Sequence, residues 1–275
     1  YTKDSSCVKT SLPLIVTLYL CACSSGDSIP SATSWSAITN AIFDRTEPNC
    51  SAYIGTYSAQ VKDVSNDKNF TSSVTVTANG NDCTFSSNSI PNHDFNDASA
   101  DLATPVAEVS ESFNIPGAAV AASSTTALSL TYDNAVFLNG VKLDMLAAAC
   151  YGIGNEPLGQ EKIGCFEDKP WRYDPMFSLN SFGTDNHNAH TQPDGAYHYH
   201  GDPKAMYDTT GTVTSPVIGF AADGFPIFGP FIDDNGIIRR VKSGYTLKSG
   251  LRISQNAQGA FPGGEYDGTY RDDYE

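Results

Sequence analysis

Four of the five histidines in this 275-residue chain fall at positions 187–200, inside the segment NHNAHTQPDGAYHYHGDP (186–203). A neutral imidazole offers a nitrogen lone pair to zinc, copper and related ions, and it exchanges protons near neutral pH. Successive side chains of a strand point to opposite faces, so Tyr197-His198-Tyr199-His200 sends both imidazoles one way and both phenols the other. Pro193-Asp194-Gly195 suits a type I turn closed by a left-handed glycine, which is the three-residue hairpin loop. With that loop, residue 192 pairs with 196, His190 stands opposite His198, and Asn188 stands opposite His200. His190, His198 and His200 then share one face of a two-stranded ribbon. Cross-strand Cβ atoms lie roughly 5 Å apart, so the three rings can converge on one ion. Three imidazoles with an open position make a site for zinc or copper.

The geometry hangs on the loop. A two-residue loop would pair His190 with Tyr197 and turn it to the other side. His187 has odd parity relative to His190 and stays outside the set. Two other readings of the cluster remain open: an ion-free core of hydrogen-bonded imidazoles, tyrosines and carboxylates, and a His/Asp acid–base site. Asp223, lying before Gly224 in an apolar run, is a candidate to ligate metal, orient an imidazole or act as a base, and is equally a turn residue. Tyr197 and Tyr199 read as sheet-face aromatics, with a redox partnership to copper as the sharper alternative. Asp185, Asp194 and Asp202 flank the cluster, and their charge is expected to raise the imidazole pKa values. Trp171, Arg172 and Asp174 read as a loop anchor.

Other chemistries lack their signatures. The sequence has no G-x-S-x-G elbow, H-E-x-x-H helix, phosphate loop or dinucleotide fingerprint. A net charge of −15 repels phosphate backbones, so nucleic acid is not an expected partner.

The elements that must position the cluster read mostly as strands. Only 17% of residues are charged, while turn formers and β-branched residues are plentiful, a balance that disfavours long surface helices. Residues 72–87 alternate around Asn79-Gly80, a hairpin signal. Residues 126–145 read as strand, turn, strand, turn, strand. The run LDMLAAACYG (143–152) predicts a short helix ended by Gly152. Residues 217–232 read as two buried strands, or a strand and a core-lining loop, split at Asp223-Gly224, while 88–117 and 153–185 are loop-like. The expected fold is mainly β: an antiparallel sandwich- or barrel-like domain with long loops and few short helices.

The chain's first residues predict export. Lys3 and Lys9 precede the apolar run 11–20, a secretory signal too short to span a bilayer. Leu20-Cys21-Ala22-Cys23 resembles a lipobox, which makes residues 1–22 a lipoprotein-type signal peptide, Cys23 the acylated residue and 23–44 a polar tether. An ordinary signal peptide is the alternative. The protein is therefore expected outside the cytoplasm, as a bacterial lipoprotein held to the membrane at the periplasmic or cell surface, or else secreted. Cys50, Cys83, Cys150 and Cys165 allow three pairings. Proximity in sequence favours Cys50–Cys83 and Cys150–Cys165.

NAHTQPDGAYHYHGDP (188–203) and IGFAADGFPIFGPF (218–231), with SNSIPNHDF (87–95), AVFLNGVKLD (135–144), SGYTLKSGLR (243–252) and PGGEYDGTYRDDYE (262–275), resemble the YHYH-domain family. The resemblance spans residues 45–275. It implies an exported, β-rich domain and brings no activity with it, since the family has no assigned function. It places His93 in the family's Pro-Asn-His segment, as a candidate fourth ligand or a partner of the ligands. Family members continue past the point where this chain stops, which implies truncation at the C-terminus. The leading functional expectation is an extracytoplasmic protein holding zinc or copper. A metal-dependent hydrolase or oxidase, and a non-catalytic adhesion or glycan-binding domain, stand beside it, with the small-molecule or glycan ligand undefined.

Overall fold

The computed structural model describes residues 36–153, 164–166, 168–180, 182–255 and 260–275. The signal-peptide and Cys23 readings lie outside the described residues. The alternation at 72–87 becomes a hairpin, β3 (Lys68–Asn79) paired with β4 (Asp82–Ser87), and Gly80 turns the chain at φ +62°. β2 (Gly55–Asp63) pairs antiparallel with β3, β5 (Glu111–Ile115) does so with β4, and the short β1 (Ser36–Ala37) runs parallel to β2. Every second residue of β3 and β4 faces inward, and Val74, Val76 and Phe85 are at most 1% exposed. Burying each such side chain contributes about 1.5–3 kcal/mol.

A second, six-stranded sheet carries the histidines. It contains β6 (Ala135–Phe137), β7 (Lys142–Leu143), β8 (Ala189–Thr191), β9 (Tyr197–Tyr199), β10 (Val217–Ala221) and β11 (Pro226–Phe228), in the spatial order β11-β10-β6-β7-β9-β8. All pairs are antiparallel except β7 with β9. A separate ribbon joins β12 (Phe231–Asp234) and β13 (Ile237–Arg240). The two larger sheets share one core, with Phe85 against Phe220 (ring centroids 6.2 Å apart) and Ser87 Oγ donating to the Gly140 carbonyl at 2.6 Å. Gly140, at φ +82°, must lack a side chain, because a Cβ there would sit 2.6 Å from the Ser87 Cβ. The expected mainly-β fold is therefore a sandwich of mixed sheets. Among the described residues the helical turns are the 3-10 segments Cys50–Tyr53 and Arg271–Asp273.

Three local expectations are corrected. Residues 36–44 belong to the fold and not to a tether: Ile38 is buried in the core, and the Phe43 amide donates to the Met206 carbonyl. Residues 126–134 form no strand, so that the three-strand reading of 126–145 reduces to β6 and β7. Residues 144–152 are not helical either. Their backbone groups bond outward: Cys165 N–H to Ala148 O at 3.1 Å, Tyr173 N–H to Ala149 O at 3.0 Å, and Tyr151 N–H to Trp171 O at 3.0 Å. The helix propensity of Leu-Ala-Ala-Ala, a fraction of a kcal/mol per residue, yields to these tertiary bonds.

Cys150–Cys165, with Cα atoms 5.6 Å apart, fastens this segment, and Cys50–Cys83 ties the first sheet to the turn before β2. Closing loops of 15 and 33 residues stabilises by about 3 and about 4 kcal/mol in the chain-entropy account. Both pairings are those expected from the sequence, and two disulfides accord with an extracytoplasmic location. No helix among the described residues is long and apolar enough to cross a membrane.

Candidate metal centre

β8 and β9 pair in the expected register, Ala189 with Tyr199, His190 with His198 and Thr191 with Tyr197. The loop closes through Gln192 N–H to Ala196 O and Gly195 N–H to Gln192 O, both 2.9 Å, with Gly195 at φ +91°. A Cβ on Gly195 would lie 2.7 Å from that of Ala107, so both conformation and space require glycine here. Beyond the paired strands, His200 N–H donates to Asn188 O at 2.8 Å and continues the ribbon as the parity argument requires.

The ribbon thereby collects His190, His198 and His200 on the outer face of the second sheet. Their ligand nitrogens all lie within 4.8 Å of one another. The Nε2 atoms of His190 and His200 stand 2.8 Å apart. Around a tetrahedral zinc with bonds of 2.0–2.1 Å, nitrogens sit roughly 3.3 Å apart, a spacing that these limits bracket. All three rings are buried, at 4–6% exposure.

The outer nitrogens fix the tautomers. His190 Nδ1 donates to the Phe182 carbonyl at 2.7 Å, His200 Nδ1 donates to the Asp144 carbonyl, and His198 Nδ1 leans on the Ala196 carbonyl at 3.4 Å. A carbonyl can only accept, so in the neutral rings the proton sits on Nδ1 and the lone pair on Nε2. Two such lone pairs at 2.8 Å repel unless a cation lies between them. Parallel pairing of β7 with β9 brings the Asp144 carbonyl over His200, since Asp144 N–H itself donates to Tyr199 O at 2.9 Å. These are the outer-shell bonds that orient imidazoles in metal sites.

Burial, and then the neighbouring His200 and His190, holds His198 well below the ordinary histidine range. Burial and His190 pull His200 down to about 3. The expected rise from nearby aspartates does not occur. Asp194 and Asp202 are spent on local bonds, to Ala196 N–H and to Tyr207 and Arg240. Asp185 lies on the tyrosine side.

The opposite face of β9 is a second polar layer, inside the sandwich. Tyr197 donates to Asp185 at 2.7 Å, and Tyr199 contacts His93 Nε2 at 2.6 Å and accepts from Asn139 at 2.9 Å. Burial lifts both phenols well above their usual range. His93 is therefore placed away from the triad, contrary to its candidacy as a fourth ligand. It stacks on His187 with ring centroids 3.7 Å apart, and its own Nδ1 donates to the Asp94 carbonyl at 2.8 Å. Asp223 is also apart: it is an exposed residue of the β10–β11 turn, with Gly224 at φ +89°.

A cleft of about 230 Å³ opens onto the triad, lined also by Asp144, Leu146, Ala148, Phe166 and Phe182. Arg172 shapes its wall, donating to the carbonyls of Ala147 (2.6 Å) and Cys165 (2.8 Å), which supports its reading as an anchor. Sequence reasoning missed Asp144, whose carboxyl is pushed up to about 7 by burial, against the pull of Lys142. It also missed the carbonyl of Phe182, which lies in a long loop with no periodic signal.

The model of the YHYH protein family matches residues 112–275, from just inside β5 to the last residue given. That span is shorter than the resemblance read from the sequence and leaves out His93, yet it holds the whole triad and its cleft. No curated protein and no solved structure matches the chain. A match over more than half the chain, centred on the ribbon just described, places this protein in the YHYH family.

Proposed function

We propose that the chain is an extracytoplasmic metal-binding protein that holds one zinc or copper ion through the Nε2 atoms of His190, His198 and His200. One observation carries this reading: the lone-pair nitrogens of His190 and His200 face each other at 2.8 Å while their Nδ1 protons are committed to carbonyls. A bound cation converts that repulsion into two bonds. Neutral imidazoles suit both metals. The test is elemental analysis of the purified chain beside a His198→Ala, His200→Ala variant whose far-ultraviolet spectrum shows that it folds. Stoichiometric metal in the wild type alone is expected. A wild type that takes up neither zinc nor copper at neutral pH overturns the assignment.

The cleft over the triad favours a catalytic extension of this reading. Three protein ligands leave a coordination position for water, and zinc lowers the pKa of such water to about 7. Hydrolysis draws more support than tyrosine-assisted oxidation, because Tyr197 and Tyr199 point to the opposite side of β9, bonded to Asp185 and His93. We also propose attachment to the membrane through acylated Cys23, supported by the lipobox-like Leu20–Cys23. Cys23→Ser is expected to move the protein from the detergent phase to the aqueous phase; unchanged partitioning excludes the anchor.

A further inference from the structure

We infer that the cleft above the triad binds a single-ring carboxylate, its anionic oxygen completing the metal's coordination and its ring lying against the apolar wall. This rests on the metal reading and adds the class of ligand. Size comes first. A cavity of about 150 Å³ holds benzene, so the cleft's volume of about 230 Å³ takes one ring and a head group. Pockets for larger ligands run to roughly 300–1,000 Å³, so a sugar chain or a peptide strand is not enclosed here.

The lining divides by origin. Polar side chains come from the β8–β9 ribbon and its loop: the three histidines, Thr191 and Gln192. Most apolar ones come from the facing segments, with Leu146, Phe166 and Phe182 among them, and Pro193 of the loop adds one more. Between these, Ala147, Ala148 and Ala149 leave the volume open, because a run of three small side chains forms the wall. The one carboxyl in the lining, Asp144, accepts from Gln192 Nε2 at 3.2 Å.

Charge decides the head group. Three neutral imidazoles bring none, so a divalent ion adds two positive charges, of which the single carboxyl in the lining, Asp144, can offset only one. An anionic oxygen donor offsets part of that charge and occupies the fourth position. The apolar body then gains by leaving water, as acetate, which carries the same head on one methyl group, cannot.

The experiment uses the full chain loaded with cobalt(II), whose visible bands report its coordination. Benzoate is expected to perturb the bands at concentrations lower than acetate by at least roughly ten-fold, the discrimination a few buried carbons provide. Ala148→Phe fills a half-buried position of the wall and is expected to keep the cobalt spectrum while abolishing the preference. Should that variant not fold, Ala148→Val is expected to reduce the preference, and the wild-type comparison stands without either. Equal potency of benzoate and acetate, or an unchanged preference in a folded Ala148→Phe, overturns the inference while the metal reading survives. No cobalt spectrum in the wild type overturns this inference, and failure to take up zinc and copper as well defeats the metal reading with it.

Discussion

Lowering the pH from 7 to 5 should destabilise this protein through His93 more than through any exposed group. Burial, and next the stacked His187, pull His93 from its ordinary 6.5 down to about 3. The bonding explains the resistance to a proton. Nδ1 donates to the Asp94 carbonyl, so Nε2 accepts from the Tyr199 hydroxyl. Protonating Nε2 would make Tyr199 accept in place of donating, and its hydroxyl proton would have to find another acceptor in the buried layer. The unfolded chain takes up the proton below pH 6.5 and the native chain does not, so stability is full above that value and is lost progressively as pH falls toward 3. At pH 5 the unfolded state lies 1.5 units past its midpoint, and at about 1.4 kcal/mol per unit the native state loses about 2 kcal/mol. At pH 7 the same term is only about 0.2 kcal/mol. Urea unfolding of the metal-free wild type and of His93→Gln, at both pH values, isolates the contribution. The glutamine costs stability at pH 7 but does not titrate, so its loss on going to pH 5 should be smaller by about 2 kcal/mol. Equal losses in the two proteins would refute the reasoning.

The depressed pKa values of His198 and His200 mean that protons compete for their nitrogens only in acid. Bound zinc should therefore survive dialysis at pH 5.5 and leave nearer pH 4; release with a midpoint at 6.5 would show rings as basic as in water. Gly195→Ala forces a side chain onto φ +91° and against Ala107, at an expected cost of about 1–3 kcal/mol in thermal or urea stability and with weaker metal binding. Arg172→Met removes the donor to two buried carbonyls and should cost about 3 kcal/mol, read as a lower urea midpoint.

The ribbon was legible because its determinants are local. Strand parity sorts His198 and His200 from Tyr197 and Tyr199, and Pro193-Asp194-Gly195 fixes the loop length that brings His190 into line. The disulfides followed from proximity in the chain. What failed was long-range. Leu146 to Ala149 are good helix formers, yet bonds from Cys165 and Tyr173 draw them out as a wall of the cleft. His93 reaches β9 from the inner side of the sandwich, and nothing in Pro-Asn-His states which face of a distant strand it will meet. The flanking aspartates misled for a different reason: their carboxylates are bonded elsewhere, so burial lowers His198 and His200 where a rise was expected.

The pairing of His190 with His198 also restricts how this segment can vary in length. Two residues added between them can lengthen the hairpin by one rung and leave both rings on the same side. One residue added, if the three-residue loop is kept and no bulge absorbs it, would exchange His190 for a neighbour on the tyrosine side. With that loop kept, the strands themselves can change length only in even steps, and any odd change has to be taken up by the loop or by a bulge.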